Sequence, residues 1–273
     1  MIDNPRSPRV RAVAKLAKKS RRQEAGIFLV EGPQAVREAL THAASEVVDV
    51  FMTPEAFGKN ADLVSLAAAA SIEIEQVSEQ VLEHMADTTT PQGVIAVVQM
   101  TSVTLEQVIG SKPELLVVLD RVSDPGNAGT IIRVAVAAGA TGVIVTNDSV
   151  DIYNPKVVRS TTGSIFHIPI VRGVELSDAM NRLKGAGVTV IAADMSGTPL
   201  PELAESGALT SPSAWLMGNE AHGLDDSALA EADIVASVPQ YGPVESMNLA
   251  TAAAVCLFQS AFAQRHSPSP SAQ

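Results

Sequence analysis

The stretch "LLVVLDRVSDPGNAGTIIRVAVAAGA", residues 115–140, joins two apolar runs through a glycine-rich turn. The first run ends at Asp120 and is typical of a buried strand, and the second predicts a helix from about Ala128. The tight turn between them is predicted from Pro125, Gly126, Asn127 and Gly129. Backbone amides in such a strand-to-helix turn can face an anion or the polar edge of a ligand.

Arg133 is the only charged residue in the helical part of this stretch. Burying a guanidinium among apolar neighbours is costly without an anion, so we expect an internal carboxylate or a substrate phosphate as its partner. The turn lacks the Gly-Lys-Ser/Thr of a Walker A loop and the spacing of the dinucleotide fingerprint. Taken alone, it fits a capped strand-to-helix turn equally well.

Apolar runs of strand length continue on the carboxyl side of this stretch, and helical patterns lie between most of them. The predicted strands are 142–146, 165–170, 188–194, 214–218 and 234–238. Continuous apolar strands interleaved with helices are typical of a parallel sheet that is covered on both faces. In such a sheet, ligands bind at the carboxyl ends of the strands.

The first hundred residues predict a separate small α/β domain. Strands are predicted at 27–30, 47–52, 72–77 and 94–100, and helical patterns at 33–40 and 61–70. We therefore predict an N-terminal domain over 1–100, a linker over 101–113 and a parallel-sheet domain over 114–264. The last residues, 265–273, are predicted to be a disordered tail.

Composition is that of a globular protein, because 46% of the 273 residues are hydrophobic. No apolar run reaches the length of a membrane helix and the N-terminus has no signal-peptide pattern, so we expect no membrane partner and a cytoplasmic location. The single cysteine, Cys256, lies in "AAAVCLF" and is interpreted as a buried core residue.

The net charge of −11 hides a strong segregation of charge. Residues 1–22 carry eight basic residues and one acidic residue, a net charge of +7, whereas the other 251 residues carry −18. This basic segment is either a solvated helix face or a contact for a polyanion.

Two further turns follow buried strands. In "WLMGNEAHGLDD", residues 215–226, a strand runs directly into Gly218, Asn219 and Glu220. In "SVPQYGPVESMNLATAAAVCLFQSAFA", residues 237–263, a loop precedes a long helix with Ser246 and Asn248 near its start. Ser246 by itself is best interpreted as an N-cap. The helix is apolar on nearly every face, which predicts burial against its own sheet and against another subunit.

In this order and at this spacing, "DRVSDPGNAGTIIRVAVAAGA", "LMGNEAHGL" and "VPQYGPVESMNLATAAAVCLF" resemble the three motifs of the SpoU (TrmH) family. Members of that family are S-adenosylmethionine-dependent RNA ribose 2'-O-methyltransferases. The N-terminal "FLVEGPQAVREAL" and "TTTPQGVIAVVQM" resemble the substrate-binding domain of its rRNA-modifying branch. Together the matches cover about residues 9 to 262.

The resemblance implies a SPOUT-class α/β catalytic domain whose C-terminal segment forms a trefoil knot. It also implies a homodimer with the active site at the subunit interface, S-adenosylmethionine as cofactor, and RNA rather than DNA as partner. Among RNAs, 23S rRNA is favoured by the additional N-terminal domain and its basic start. The RNA contacts are then expected among the basic residues Arg9, Arg11, Lys15, Lys18, Arg21 and Arg22.

Carried over to this sequence, the resemblance implies two sets of site residues. The cofactor set is Gly218, Asn219, Val238, Met247 and Leu249. The catalytic set is Asn127, Arg133, Glu220, Ser246 and Asn248. As a hypothesis, Arg133 meets the phosphate beside the target ribose, while the asparagines and Glu220 position the sugar hydroxyls and Arg133 itself.

Two departures from the family pattern affect the loops. Ala221 stands where the family commonly has glycine and restricts φ there, and the third loop differs at Gln240 and Glu245. The five histidines, among them His222, show no metal-ligand spacing, so no catalytic metal is expected.

Three alternatives remain. A dehydrogenase-like protein would need the dinucleotide fingerprint and an acidic ribose-binding residue, which the chain lacks. A non-catalytic RNA-binding module would not need the complete catalytic set, and binding of S-adenosylmethionine discriminates it from an enzyme. A tRNA substrate would leave the reaction unchanged.

Overall fold

A computed structural model describes residues 1–244 and 246–266, and these residues form two compact units. The first unit contains Met1–Thr101 together with Asp151–His167, and the second contains Ser102–Val150 together with the described chain from Ile168 onward. No helix in this part of the chain is both long and apolar enough to cross a membrane. Most of the predicted disordered tail, residues 267–273, lies outside the described residues, whereas residues 265 and 266 are helical.

The elements alternate along most of the chain. The strands are β1 Ile27–Glu31, β2 Val47–Met52, β3 Ile74–Gln76, β4 Val94–Gln99, β5 Leu115–Leu119, β6 Gly142–Thr146, β7 Ile170–Val174, β8 Thr189–Pro199, β9 Ser213–Met217 and β10 Ile234–Ser237. The helices are α1 Pro8–Ala14, α2 Lys19–Ala25, α3 Pro33–His42, α4 Pro54–Lys59, α5 Ala61–Ala69, α6 Glu79–Met85, α7 Leu105–Gly110, α8 Pro125–Ala138, α9 Pro155–Thr161, α10 Leu176–Gly185, α11 Leu200–Glu205, α12 Asp226–Glu231 and α13 Leu249–His266.

Several helix starts follow one local rule, a capping side chain directly before a proline. The cap accepts a backbone N–H of the first turn, and proline fits the first helical position because no N–H is needed there. The pairs are Ser7-Pro8, Thr53-Pro54, Asp124-Pro125 and Asn154-Pro155. This rule places the start of α8 at Pro125, three residues before the predicted start at Ala128.

In the first unit, a four-stranded mixed sheet has the order β1-β4-β2-β3. β4 pairs antiparallel with β1 and β2, and β2 pairs parallel with β3. One buried cluster joins the sheet to helices α1 and α6, and it includes Val10, Leu29, Phe51, Leu82 and Ile95. The N-terminal basic segment is therefore anchored through its apolar residues.

Residues 151–167 belong to the first unit although they follow β6 in the chain. α9 packs on β1, and the ring of Phe28 lies 4.5 Å from that of Tyr153 and 6.3 Å from that of Phe166. The predicted strand 165–170 was wrong, because Ser164–Phe166 is a 3-10 turn and β7 starts only at Ile170. Phe166 packs inside this unit, whereas Ile168 and Ile170 belong to the second unit, where Ile170 begins β7.

In the second unit, six strands form a parallel sheet in the order β10-β8-β9-β5-β6-β7, which confirms the predicted parallel α/β class. The predicted linker 101–113 contains α7, whose Thr104 and Gln107 form a capping box. Leu105 and Val108 of α7 are buried in the main core of the sheet. The linker therefore belongs to the second unit.

The long helix α13 packs against α8, β9 and β5. The buried Trp215 of β9 donates its indole N–H to Ser260 Oγ at 2.9 Å. Cys256 is 1% exposed, and burial raises the pKa of its thiol to about 12, so the prediction of an unreactive core residue is confirmed.

We predict that Arg22→Ala lowers the free energy of unfolding of the first unit by about 3–5 kcal/mol, because it leaves a buried carboxylate without its partner. Arg22 is 1% exposed, pairs with Asp151 at 2.7 Å and donates to the carbonyls of Leu16 and Ala17 at 2.8 Å each. Urea unfolding checks the value. The control Arg21→Ala removes an exposed arginine that pairs with Glu24, and we expect it to change stability by less than about 0.5 kcal/mol. Equal effects of the two changes would contradict a structural role for Arg22.

Candidate active site

Three loops of the second unit leave strands at the same edge of the sheet, two of them neighbours and the third separated from these by β8. The loops follow β5, β9 and β10. Because all strands of this sheet are parallel, their carboxyl ends lie at the same edge. The loops contain the three stretches singled out in the sequence. This edge is where α/β sheets bind ligands.

The carboxylate of Glu220, in the loop after β9, binds the start of α8. One oxygen accepts from the backbone N–H of Ser123 at 3.1 Å and from its hydroxyl at 2.9 Å. The other accepts from the backbone N–H of Asp124 at 3.0 Å and from Asn127 Nδ2 at 3.2 Å. One charged side chain thus fixes the relative position of two of the three loops.

Asn127 links this contact to the third loop. Its Oδ1 accepts from Asn248 Nδ2 at 2.8 Å. Asn248 Oδ1 in turn accepts from the backbone N–H groups of Ala250 and Thr251 at 2.9 and 3.2 Å. The N-cap of α13 is therefore Asn248, whereas Ser246 is exposed two residues before it.

Glu220 is held in its ionised form. Desolvation by burial raises the pKa of its carboxyl, but the hydrogen bonds from Ser123, Asp124 and Asn127 outweigh it, and the net pKa lies below the ordinary value of a glutamate. A carboxylate that accepts four hydrogen bonds at neutral pH is suited to positioning rather than to proton transfer.

Asn219 and two glycines shape the second loop. Asn219 Nδ2 donates to the carbonyl of Arg121 at 2.8 Å, and its Oδ1 accepts from the backbone N–H of Ala221 at 2.9 Å. A Cβ on Gly218 would lie 2.5 Å from the carbonyl carbon of Gly223, so this approach requires glycine. Ala221 is not among the residues with positive φ, and the loop therefore accommodates it without strain.

A cavity of about 190 Å³ opens between the second and third loops. Val238, Met247 and Leu249 of the predicted cofactor set line it together with Asn219, and so do Glu220 and Ser246 of the catalytic set. Gly218 is buried beside these loops but is not part of the lining. The rest of the wall is Ala193, Asp194, Met195, Met217, Gly223, Ala236, Gln240 and Ala252, of which Ala193, Asp194, Met195 and Ala236 lie outside the three motifs.

Gln240 carries a buried polar atom of this lining that has no hydrogen-bond partner within the described residues. Its Oε1 is buried and has no hydrogen-bond partner among residues 1–244 and 246–266, while its Nε2 lies 3.7 Å from Met195 Sδ. A buried acceptor without a donor is costly, and a ligand donor in the cavity would satisfy it. The other difference from the family pattern in this loop, Glu245, lies outside the described residues.

Arg133 is not part of this group. It is exposed and within the described chain it has no ion pair or side-chain hydrogen bond, so of its two expected partners the internal carboxylate is not found. Arg133 lies six residues beyond Asn127 on α8, about 9 Å along the axis and on a different face. The exposed face that it shares with Thr130 and Ala137 points away from the buried side of the helix.

The predicted RNA contacts lie in the first unit and differ in availability. Arg11, Lys15 and Lys18 are exposed. Arg9 pairs with Asp49 and Glu75, and Arg21 pairs with Glu24. Arg22 must be removed from the set, because it is buried and all its described partners belong to its own unit.

Comparison with known proteins places these features in a family context. A model of the SpoU rRNA methylase family matches residues 114–258, and a model of the MRM3-like substrate-binding domain matches residues 7–96. The first match contains all three loops of the site, and the second contains all four strands of the first unit's sheet except the end of β4.

Two curated relatives extend over nearly the whole chain. The 23S rRNA (guanosine(2553)-2'-O)-methyltransferase RlmP of Bacillus subtilis is 33% identical, over 94% of this chain and 97% of that protein. The 23S rRNA (uridine(2479)-2'-O)-methyltransferase of Streptomyces viridochromogenes is 31% identical, over 90% of this chain and 86% of that protein.

Among solved structures, the AdoMet-bound rRNA methyltransferase from Sinorhizobium meliloti superimposes with a TM-score of 0.81. It is 31% identical to this chain and covers 98% of both chains. AdoMet is S-adenosylmethionine.

We predict that Glu220→Gln lowers the free energy of unfolding of the second unit by about 1 kcal/mol at pH 7, since an amide cannot accept all four bonds and the site is partly exposed. Because the folded-state pKa of Glu220 is lowered, its contribution is complete above the unfolded-state pKa and disappears as pH falls through the folded-state value. Urea unfolding of wild type and variant from pH 7 to pH 3 should therefore show converging stabilities.

The matched control is Glu205→Gln, which changes an exposed glutamate at the end of α11. We expect no pH-dependent difference from wild type for this control. A Glu220→Gln difference that is independent of pH would contradict the assigned role of the carboxylate.

Proposed function

The chain belongs to the SpoU rRNA methylase family, as its three motifs predicted, and on that premise we propose that it methylates the ribose 2'-hydroxyl of a nucleotide in 23S rRNA. The observation that carries the proposal is the hydrogen-bonded chain Glu220–Asn127–Asn248 beside the cavity of the second and third loops. The two relatives are named for a guanosine and a uridine, so the proposal specifies the ribose and leaves the base open.

S-adenosylmethionine fits the cavity by the chemistry of its walls. Met195, Met217, Val238 and Leu249 provide apolar surface for an adenine ring, and the unsatisfied Oε1 of Gln240 provides an acceptor for an amino or hydroxyl group. Bound there, this cofactor would supply a sulfonium methyl group for ribose O2', with the cofactor sulfur as leaving group, and the hydroxyl proton would pass to water.

The asparagines position the hydroxyl, and Glu220 positions the asparagines. Asn127 uses one N–H toward Glu220 and one lone pair toward Asn248, which leaves it a second N–H and a second lone pair. Those free groups can hold a ribose hydroxyl beside the cavity mouth. Ser246 lines the same cavity and, being exposed, is available to the sugar or its phosphate.

Arg133 supplies positive charge for the phosphate beside the target ribose. A guanidinium keeps its proton at neutral pH, so its role is positioning and electrostatic stabilisation. Arg133 lies far along α8 from Asn127 and on a different face of the helix. We therefore propose that it contributes to the active site of a second copy of the chain. We accordingly propose a homodimer with the active site at the subunit interface.

Exposed apolar side chains on and before α13 support this dimer. Val255 and Phe262 are 40% and 55% exposed, and Tyr241 and Val244 of the third loop are 90% and 61% exposed. Val255 and Phe262 are seven residues apart and share one face of α13, and exposed large apolar groups on one face are typical of an interaction site. The trefoil knot is a further part of the proposal, supported by the return of the chain from β10 at the sheet edge to α13 near its centre.

The first unit is proposed to bind the RNA. Its exposed Arg11, Lys15 and Lys18 lie in the basic segment, where each contact with a phosphate releases counterions. Because rRNA is the proposed substrate, we also propose that the protein acts in the cytoplasm.

The decisive measurement is transfer of labelled methyl from S-adenosylmethionine to unmethylated 23S rRNA and, separately, to bulk tRNA. Alkaline hydrolysis follows, because a 2'-O-methyl group leaves a resistant dinucleotide. We expect label in such a dinucleotide from 23S rRNA. Label from tRNA alone would overturn the substrate and keep the reaction, and a protein that does not bind S-adenosylmethionine would be a non-catalytic module.

We predict that Arg133→Ala lowers methyl transfer by at least about 100-fold, because a charge that stabilises the transition state is lost. Binding of S-adenosylmethionine, measured by calorimetry, should stay within about twofold of wild type, since Arg133 does not line the cavity. A comparable loss of cofactor affinity would contradict the assignment.

Complementation tests whether Arg133 acts on the partner's site. A heterodimer of Arg133→Ala and Asn127→Ala chains, purified through two tags, has one intact site and one doubly altered site, so we expect about half of wild-type activity. The control heterodimer combines an Arg133→Ala chain with a chain that carries both Arg133→Ala and Asn127→Ala, and it has no intact site. A heterodimer as inactive as either homodimer would show that Arg133 serves its own chain.

A further inference from the structure

The first unit contains a group of metal-ligating side chains that the proposed function does not use. Glu38 and His42 lie one turn apart on α3, and His167 follows the 3-10 turn Ser164–Phe166. The two imidazole nitrogens and the carboxylate oxygen of these residues lie within 4.8 Å of one another. No other three histidine, cysteine or acidic residues in the described part of the chain come this close. The sequence separation of 125 residues between the histidines explains why spacing did not reveal them.

The carboxylate of Glu38 presents one oxygen to both imidazoles. His167 Nε2 lies 2.7 Å from Oε2, and His42 Nε2 lies 3.5 Å from the same atom. The other oxygen, Oε1, accepts from Gln34 Nε2 at 2.8 Å. Gln34 therefore orients the carboxylate from outside the cluster, as groups that hydrogen-bond to the ligands do at metal sites.

The backbone brings His167 close to α3. Gly163, at φ +96°, lies so near Glu38 that a Cβ there would be 2.4 Å from Glu38 Cγ. The rings of His42 and His167 are 4.1 Å apart between centroids. Two imidazolium rings at that distance repel each other, whereas two neutral rings can share one cation with the carboxylate.

We propose that Glu38, His42 and His167 bind one Zn²⁺ ion. Two imidazole nitrogens and one carboxylate oxygen are a common protein ligand set for zinc, with water as the fourth ligand. Ligands about 2.05 Å from a tetrahedral ion lie about 3.3 Å from each other. The observed separations of 2.7 and 3.5 Å to Glu38 Oε2 bracket that value, so small side-chain rotations complete the site.

The ion would fasten residues 151–167 to α3 within the first unit. The same segment is held at its other side by Arg159, which donates to Glu31 and to Asp87 at 3.0 Å each. A metal that binds the folded unit and not the unfolded chain stabilises the fold. This role is independent of methyl transfer.

The test uses the untagged full-length chain, freed of metal with a chelator and titrated with Zn²⁺ alone against a chromogenic competitor. We expect one Zn²⁺ per chain and a higher Tm with the ion bound. His42→Gln and His167→Gln should each lower the affinity at least about tenfold, because each removes one of three protein ligands.

His84→Gln is the matched control, because His84 is an exposed histidine on α6 of the same unit. We expect it to bind Zn²⁺ as wild type does. Absence of stoichiometric binding, or variants at 42 and 167 that bind as tightly as the control, would overturn the proposal and leave an ion pair between Glu38 and His167.

Discussion

The arrangement of the candidate active site depends on one carboxylate. Glu220 leaves the end of β9 and accepts hydrogen bonds from the first residues before and within α8. At the same helix start, Asp124 accepts the backbone N–H of Asn127, so two carboxylates bind amide groups around the first turn of α8. The positive end of the helix favours the anion, and the anion in turn orients Asn127 toward Asn248. Without this charge, the first and second loops would keep, among the residues that the structure describes, only the bond from Asn219 to the Arg121 carbonyl and the ion pair of Arg121 with Asp225.

The sequence predicted those parts of the fold that local chemistry determines. Apolar runs such as 115–119 and 142–146 became central strands because an uncharged strand can only be covered on both faces. The same reasoning failed at 165–170, where Phe166 packs against Phe28 from a turn and only Ile170 belongs to a strand. A pattern of apolar residues indicates burial, and the position of glycines such as Gly163 decides between strand and turn.

The site was predictable in its residue types but only partly in its geometry. The motifs located Asn127, Glu220 and Asn248, which do meet. They gave no sign of Asp194 or Met195, because these residues reach the cavity from β8, outside the three motifs, and they marked Gln240 only as a departure from the family pattern. The burial of two arginines did not follow from their neighbours in the sequence. Arg133 lies among apolar residues and is exposed, whereas Arg22 lies in the charged segment and is buried.

The position of residues 151–167 in the first unit limits how the chain can be cut into folded fragments. The polypeptide passes between the two units three times, at 101–102, 150–151 and 167–168. A fragment that ends at residue 101 would therefore lose the aromatic cover of Phe28 and the partner of Arg22. The first unit therefore cannot be transferred to another protein by exchanging one continuous segment of sequence. Any functional graft of the N-terminal domain must carry a second, internal segment with it.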